Sequence, residues 1–481
     1  MSYGGHSPHL ANPEAPIHRA TTTAATTAAA VLLLAACGAP PQAGDLASGA
    51  SSAKVPKGDG SSLPDDYNGD GLPDHAIEGA QGDQETGERY VGAVFGGKQG
   101  LDGEQRVVLT REALGLPAPG EDDPGSLTIR DSADLDGDGF ADLLIDADGA
   151  YVVWGGPEGL AGKAQALPAF DGKTANDMLA VSTAVADFDG DGATDIAVLD
   201  QIQGSPQEDF ETAYLRGPFD RDGKPSETAD LTLPDDAQDA DLAPIDADGD
   251  KAIDLALVRN NDESPARHLV LRSGSSGPAE EELGDTPPGH AYATGDFDKD
   301  GTRDLLIGAN GIPNNENPND PDDPELHPGY VDFYSGADGF AKGEPVRITR
   351  DTPGVPGKAA DSDGFGNGLL VGDVNGDGYD DAAVFTGTGF SPDSVNVLLG
   401  GPDGLTGKGA ANLPLPDAPA GDLGFWDQLN LRDYDGDDRS DLLLGTEAPG
   451  RGNAYNEYAV HAGTPDGVTA EPSQEFSTKD F

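Results

Sequence analysis

The chain has 481 residues, of which 88 are Asp or Glu and 28 are Lys or Arg, leaving a formal charge of −60. Such acidity excludes nucleic acid as a partner, because phosphate contacts are made by Lys and Arg. A single cysteine excludes an internal disulfide framework and any Cys-based zinc site, while 69 Gly and 38 Pro point to many short strands joined by turns.

Near the amino terminus, Ala24 to Cys37 reads AATTAAAVLLLAAC, an apolar stretch that follows His18 and Arg19. It is shorter than the roughly 20 apolar residues that span a bilayer, and it has the length of a signal-peptide core. The run Leu34-Ala35-Ala36-Cys37-Gly38 resembles a bacterial lipobox. That resemblance implies cleavage before Cys37, diacylation of its thiol, and an extracytoplasmic protein anchored to the cell membrane. An ordinary signal peptide with an incidental cysteine is the alternative. Residues 1–36 are thus predicted to be a lipoprotein signal peptide. Residues 37–62, rich in Gly, Pro, Ala and Ser without apolar periodicity, are predicted to be a flexible tether.

From residue 63 onward one nine-residue pattern recurs seven times, starting at residues 66, 134, 187, 246, 296, 373 and 433. Side chains bearing oxygen occupy positions 1, 3, 5 and 9, and Gly usually occupies position 6. The first three copies hold Asp66, Asn68, Asp70, Asp74; Asp134, Asp136, Asp138, Asp142; and Asp187, Asp189, Asp191, Asp195. The fourth and fifth hold Asp246, Asp248, Asp250, Asp254 and Asp296, Asp298, Asp300, Asp304. The last two hold Asp373, Asn375, Asp377, Asp381 and Asp433, Asp435, Asp437, Asp441. Alternate side chains at 1, 3 and 5 converge on one hard cation when the loop curls around it, and the Asp at 9 closes the shell. A backbone carbonyl at position 7 adds an oxygen, from Leu72, Phe140, Ala193, Ala252, Thr302, Tyr379 or Arg439. A shell of oxygens without His or Cys suits Ca2+, with up to seven sites. Two loops depart at position 6, where Lys251 and Asp438 replace Gly, and Lys251 also brings positive charge near the cation.

An EF-hand begins similarly but requires a bidentate Glu at position 12. Here that position is Ile77, Ile145, Val198, Leu257, Ile307, Val384 or Leu444, each inside a short apolar run that reads as a buried strand. The alternative for the loops is a set of solvated Asp-Gly turns without metal. Against it, the four side-chain positions gather 26 Asp, and packed carboxylates repel strongly without a cation. A second element keeps step with the loops: an apolar strand ending in a Gly-rich turn, as in AYVVWGGPEGL (150–160) and VNVLLGGPDGL (395–405). Each unit of about 60 residues then holds four antiparallel strands, and seven such sheets arranged radially predict an all-β, seven-bladed propeller.

The segment FGNGLLVGDVNGDGYDDAAVFTG (365–387) resembles the FG-GAP repeat of the integrin α-subunit propeller and its bacterial VCBS-type relatives. The likeness runs from about residue 63 to residue 476. It implies calcium in the loop joining the first two strands of a blade, held for example by Asp187, Asp189, Asp191 and Asp195 with the carbonyl of Ala193. It also implies ligand recognition by the loops of the opposite face. The first unit departs, because SSLP before Asp66 makes a poor inner strand; SQEFST (473–478) is expected to pair with that unit and close the ring.

No catalytic constellation stands out. His75, His268, His290, His327 and His461 share no spacing that suggests a metal or base pair, and no nucleophile elbow, P-loop or dinucleotide fingerprint occurs. The interval NGIPNNENPNDPDDPELHPG (310–329) reads as a projecting contact loop or a solvated insertion, and Trp154 and Trp426 as core residues. The sequence therefore predicts a non-enzymatic, calcium-binding, lipid-anchored scaffold for a protein or glycan partner. The alternatives are a surface hydrolase or lyase using propeller loops, and a structural envelope protein without a dedicated ligand.

Overall fold

The computed structural model describes residues 56–481 except 82–86, 119–124, 126, 148, 168–180, 202–209, 235–236, 238–239, 260–264, 313–326, 388–393, 416–427 and 448–455. Cys37, Trp426 and most of the long interval lie outside the described residues. Every described blade is antiparallel. The sixth shows the pattern: Leu369–Gly372, Asp381–Thr386, Ser394–Leu399 and Thr406–Pro414 lie side by side in chain order. Gly372 pairs with Asp381, Ala382 with Leu398, and Ser394 with Pro414. The same four-strand order runs from Thr128–Ala133 to Gln165–Ala166 in blade two and from Val181–Ala186 to Glu227–Ala229 in blade three. It runs from Ala240–Ile245 to Gly277–Asp285 in blade four and from Ala291–Gly295 to Val346–Ile348 in blade five. Blade one has three strands, His75–Gln81, Glu88–Val94 and Arg106–Thr110, because SSLP does not form an inner strand.

The second strands explain the ring. Asp381–Thr386 is buried along its whole length, since a blade is covered on both faces. Side chains on a strand alternate between faces, so neighbouring residues enter different cores. Leu143 joins the core between blades one and two and Leu144 the next; Ala382 and Ala383 divide in the same way, as do Leu442 and Leu443. Seven apolar clusters result, one at each interface between blades. The last joins Ile77, Tyr90, Val94 and Val108 of blade one to Tyr434, Leu443, Tyr458 and Val460 of blade seven. Burying one such side chain stabilises the fold by about 1.5–3 kcal/mol, and an isolated blade would leave both its faces wet.

Closure differs from the sequence expectation. Gln474–Ser477 does not pair with blade one; it forms the outer strand of blade seven against Asn456–His461, with Glu457 opposite Ser477 and Val460 opposite Gln474. The open edge of its own preceding strand is the nearer partner, reached after a small hairpin of Gly463–Thr464 with Gly467–Val468. The seam to blade one is made by side chains instead. Gln474 Nε2 donates to the carbonyl of Gln99, and Phe476 lies against Gly103. At the other end, Gly58, Gly60 and Ser61, inside the predicted tether, already bond to the ring, donating to the carbonyls of Asn68, Gly69 and Gly139.

Candidate metal centres

Each acidic loop links the first two strands of a blade or, in blade one, leads into His75–Gln81. Two left-handed residues shape six of the seven loops, and one shapes the fourth. Position 6 has φ between 83° and 92° at Gly71, Gly139, Gly192, Gly301 and Gly378, and Asp438 reaches 65° despite its Cβ. Position 4 is also left-handed, from 59° at Lys299 to 76° at Gly436, a requirement that the sequence reading did not assign. These two turns aim backbone amides at the side chain of position 1. In six loops the amide of position 6 donates to its Oδ2 at 2.7–3.1 Å. Position 5 in turn accepts the amide of position 7, as Asp138 does from Phe140 at 3.2 Å and Asp191 from Ala193 at 2.8 Å.

In four loops the carboxylates gather closely enough to hold a metal ion. Oxygens of Asp134, Asp136 and Asp142 lie within 4.8 Å of one another, as do those of Asp187, Asp189 and Asp195, of Asp296, Asp298 and Asp300, and of Asp433, Asp435 and Asp437. In the first and sixth loops Asn68 and Asn375 turn their Oδ1 toward the amide of position 5 at 2.9 Å, as the acids Asp189, Asp298 and Asp435 do at 3.1 Å. The donor set is oxygen throughout, which fits a hard cation. A bound cation would supply neutralisation of the converging carboxylates. The fourth loop does not fit: Asp246 turns its Oδ2 to Arg303 Nε at 2.7 Å, and Lys251 lacks the left-handed turn.

The Asp at position 9 has a second role that its spacing concealed. In all seven loops its side chain is at most 2% exposed, and its two oxygens accept two backbone amides at 2.8–3.3 Å. One amide belongs to position 2 of its own loop. The other lies at the far end of the strand paired with the one that follows the loop: Gly96, Gly155, Gly217, Ser273, Gly336, Gly400 or Gly463. The approach is close, since a Cβ on Gly155 would fall 2.1 Å from the carbonyl oxygen of Ala141 and one on Gly400 2.3 Å from that of Asp380. Burial pushes the carboxyl of Asp142 up to about 8, those of Asp381 and Asp441 to about 7, and those of Asp254 and Asp304 to about 6. Asp74 and Asp195 are raised for the same reason.

Adjacent loops are joined. The amide of position 8 donates to the carbonyl of position 1 in the preceding loop at Ala141–Asp66, Ile253–Asp187, Asp380–Asp296 and Ser440–Asp373, over 2.7–3.1 Å. Guanidinium groups also reach the carboxylates: Arg221 at Asp136 and Asp138, Arg216 at Asp189, and Arg439 at Asp437. Trp154 packs in the core between blades two and three beneath Arg221, whose guanidinium lies 4.7 Å from its ring. His75, His268 and His461 are buried, each in a different blade.

No protein-family model matches the chain, and no curated protein does. The FG-GAP likeness therefore rests on the loop residues and the strand order. Among solved structures, an Agrocybe aegerita lectin described by its recognition of non-reducing terminal N-acetylglucosamine is 14% identical over 84% of this chain and 89% of its own, with a TM-score of 0.42. The V. cholerae biofilm matrix protein Bap1 is 15% identical over 82% of this chain and 74% of its own, with a TM-score of 0.20. Likeness at these values carries no argument about function.

Proposed function

We propose that the chain is a calcium-stabilised propeller of the FG-GAP/VCBS type, anchored outside the cytoplasm through lipidated Cys37, that serves as a binding or adhesion scaffold for a protein or glycan. The supporting observation is a division of labour between two rims. Acidic loops and glycine turns share one rim, where they are cross-linked by the carboxylates of position 9. The connections from second to third strand leave from the opposite ends of these strands and differ in length, from residues 147–149 in blade two to 310–329 in blade five. Variable loops on a rigid frame are the usual place for recognition.

Calcium is tested by thermal unfolding with calcium and then EDTA. One site with an extracellular-type affinity of about 10⁻⁴ to 10⁻³ M contributes about 0.4 to 1.4 kcal/mol at millimolar calcium, so several together shift the transition visibly. Indifference to the chelator would sink the metal assignment. The partner is tested by retention of the immobilised protein's ligands from a glycan panel and from envelope fractions. Retention lost on shortening 310–329 supports the scaffold, and turnover of a glycan would favour the hydrolase or lyase instead.

A further inference from the structure

We infer that the fourth loop carries no cation and that Arg303 and Arg272 neutralise its carboxylates instead. The inference concerns this loop alone and is separable from calcium binding in the other six.

Lys251 occupies position 6 and stays out of the left-handed region that all six of its counterparts adopt. Its amide accordingly makes no bond to Asp246, whereas each counterpart binds Oδ2 of position 1. The amide of Asp250 likewise bonds Asp248 and not Asp246, although the other six loops send this amide to position 1 at 3.0–3.3 Å. The first carboxylate of loop four keeps one inward bond, from the amide of Gly249 to Oδ1 at 2.9 Å, while its Oδ2 has turned out of the loop.

It has turned toward a guanidinium. Arg303 sits at position 8 of the next loop, and its Nε donates to Asp246 Oδ2 at 2.7 Å. Arg272, on the third strand of the same blade, places Nη2 3.3 Å from Asp248 Oδ2. Two of the three leading carboxylates thus face a permanent positive charge. Arginines approach loops two, three and seven as well, but there both oxygens of the first carboxylate accept inward amides, whereas in loop four only Oδ1 does. The blade also departs at its turn, where Ser273 stands in place of the glycine found in the other six.

Arg303 has a reach that an ion lacks. Its Nη1 lies 3.4 Å from Asp380 Oδ2 of loop six, and that oxygen accepts the amide of Asp296 in loop five at 2.8 Å. One side chain therefore connects three consecutive loops through covalently attached charge, and its contribution does not depend on free calcium.

The test uses the full chain, stripped by chelator and reloaded with calcium, with bound ions counted by native mass spectrometry. Asp246→Asn is expected to leave the count unchanged, while Asp298→Asn in loop five lowers it by one. Asp246→Asn and Arg303→Gln should each lower Tm by the same number of degrees in calcium and in EDTA. The double variant should fall no further than the worse single one. An ion lost from Asp246→Asn, or additive losses in the double variant, overturns the inference. If wild type binds no ion at all, the calcium reading fails by itself, and the double variant still decides the Asp246–Arg303 pair.

Discussion

The backbone amide of Gly97 donates to the carbonyl of Tyr434 at 3.1 Å, across the seam between the first and last blades. Gly156 makes the same bond to Tyr67 and Gly401 to Phe297, between blades that are neighbours in sequence. The seam is thus built like an internal junction, without a strand borrowed from the other end of the chain. Beside it, within blade seven, Phe476 stacks on Tyr458 with ring centroids 4.7 Å apart and lies against Gly103 of blade one.

Phe476→Ala should cost about 1–2 kcal/mol, from a half-buried ring and one stacked pair. Urea unfolding measures it, and a loss below about 0.5 kcal/mol, typical of an uninvolved surface site, would place the seam's strength elsewhere.

Asp381 accepts the amides of Val374 at 2.9 Å and Gly400 at 2.8 Å, so Asp381→Asn sets an amide group against one of them. A loss of about 2–3 kcal/mol is expected both with calcium and with EDTA. A loss confined to calcium would reduce this residue to a metal ligand alone.

Gly155→Ala and Gly156→Ala form a matched pair. A Cβ at the first meets the Ala141 carbonyl at 2.1 Å, whereas nothing lies within 4 Å of one at the second. The first should lower stability by about 2 kcal/mol or more and the second by less than about 0.5 kcal/mol, read from denaturant midpoints. Equal effects would show that the turn yields freely.

His268 is buried, and its Nδ1 accepts the amide of Arg259 at 3.2 Å. Burial, reinforced by the charge of Arg259, lowers its pKa from 6.5 to about 4. The fold therefore favours the neutral ring. This contribution is complete above about pH 6.5 and is lost as pH falls toward 4. Urea midpoints at pH 7 and pH 5 should differ less in His268→Gln than in wild type; an identical difference would assign the acid limb to other groups.

Much of this architecture was legible because it repeats locally. Asp at every second position, a glycine turn and an apolar run with the seventh-copy regularity of DLLLGT point to a loop and a buried strand without knowledge of the fold. The departures at Lys251 and at SSLP were equally visible, and the structure alters the backbone at both. What stayed hidden depends on distance along the chain. The partner of Asp142 is Gly155 and that of Asp304 is Gly336, so the clamp has no fixed spacing to read. The left-handed position 4 was masked by Lys299, which adopts it without being glycine. The last strand was misplaced because SQEFST is short enough to suit either open edge, and only packing after the Gly463–Thr464 hairpin selects one.

The way the chain enters the ring bears on how it takes mechanical load. Before any strand begins, Gly58 and Gly60 are fastened to the loop of blade one and Ser61 to the loop of blade two. Tension arriving from the amino-terminal side is therefore divided between two blades at the same rim. A pull on that side meets these three amide bonds before it reaches the first strand.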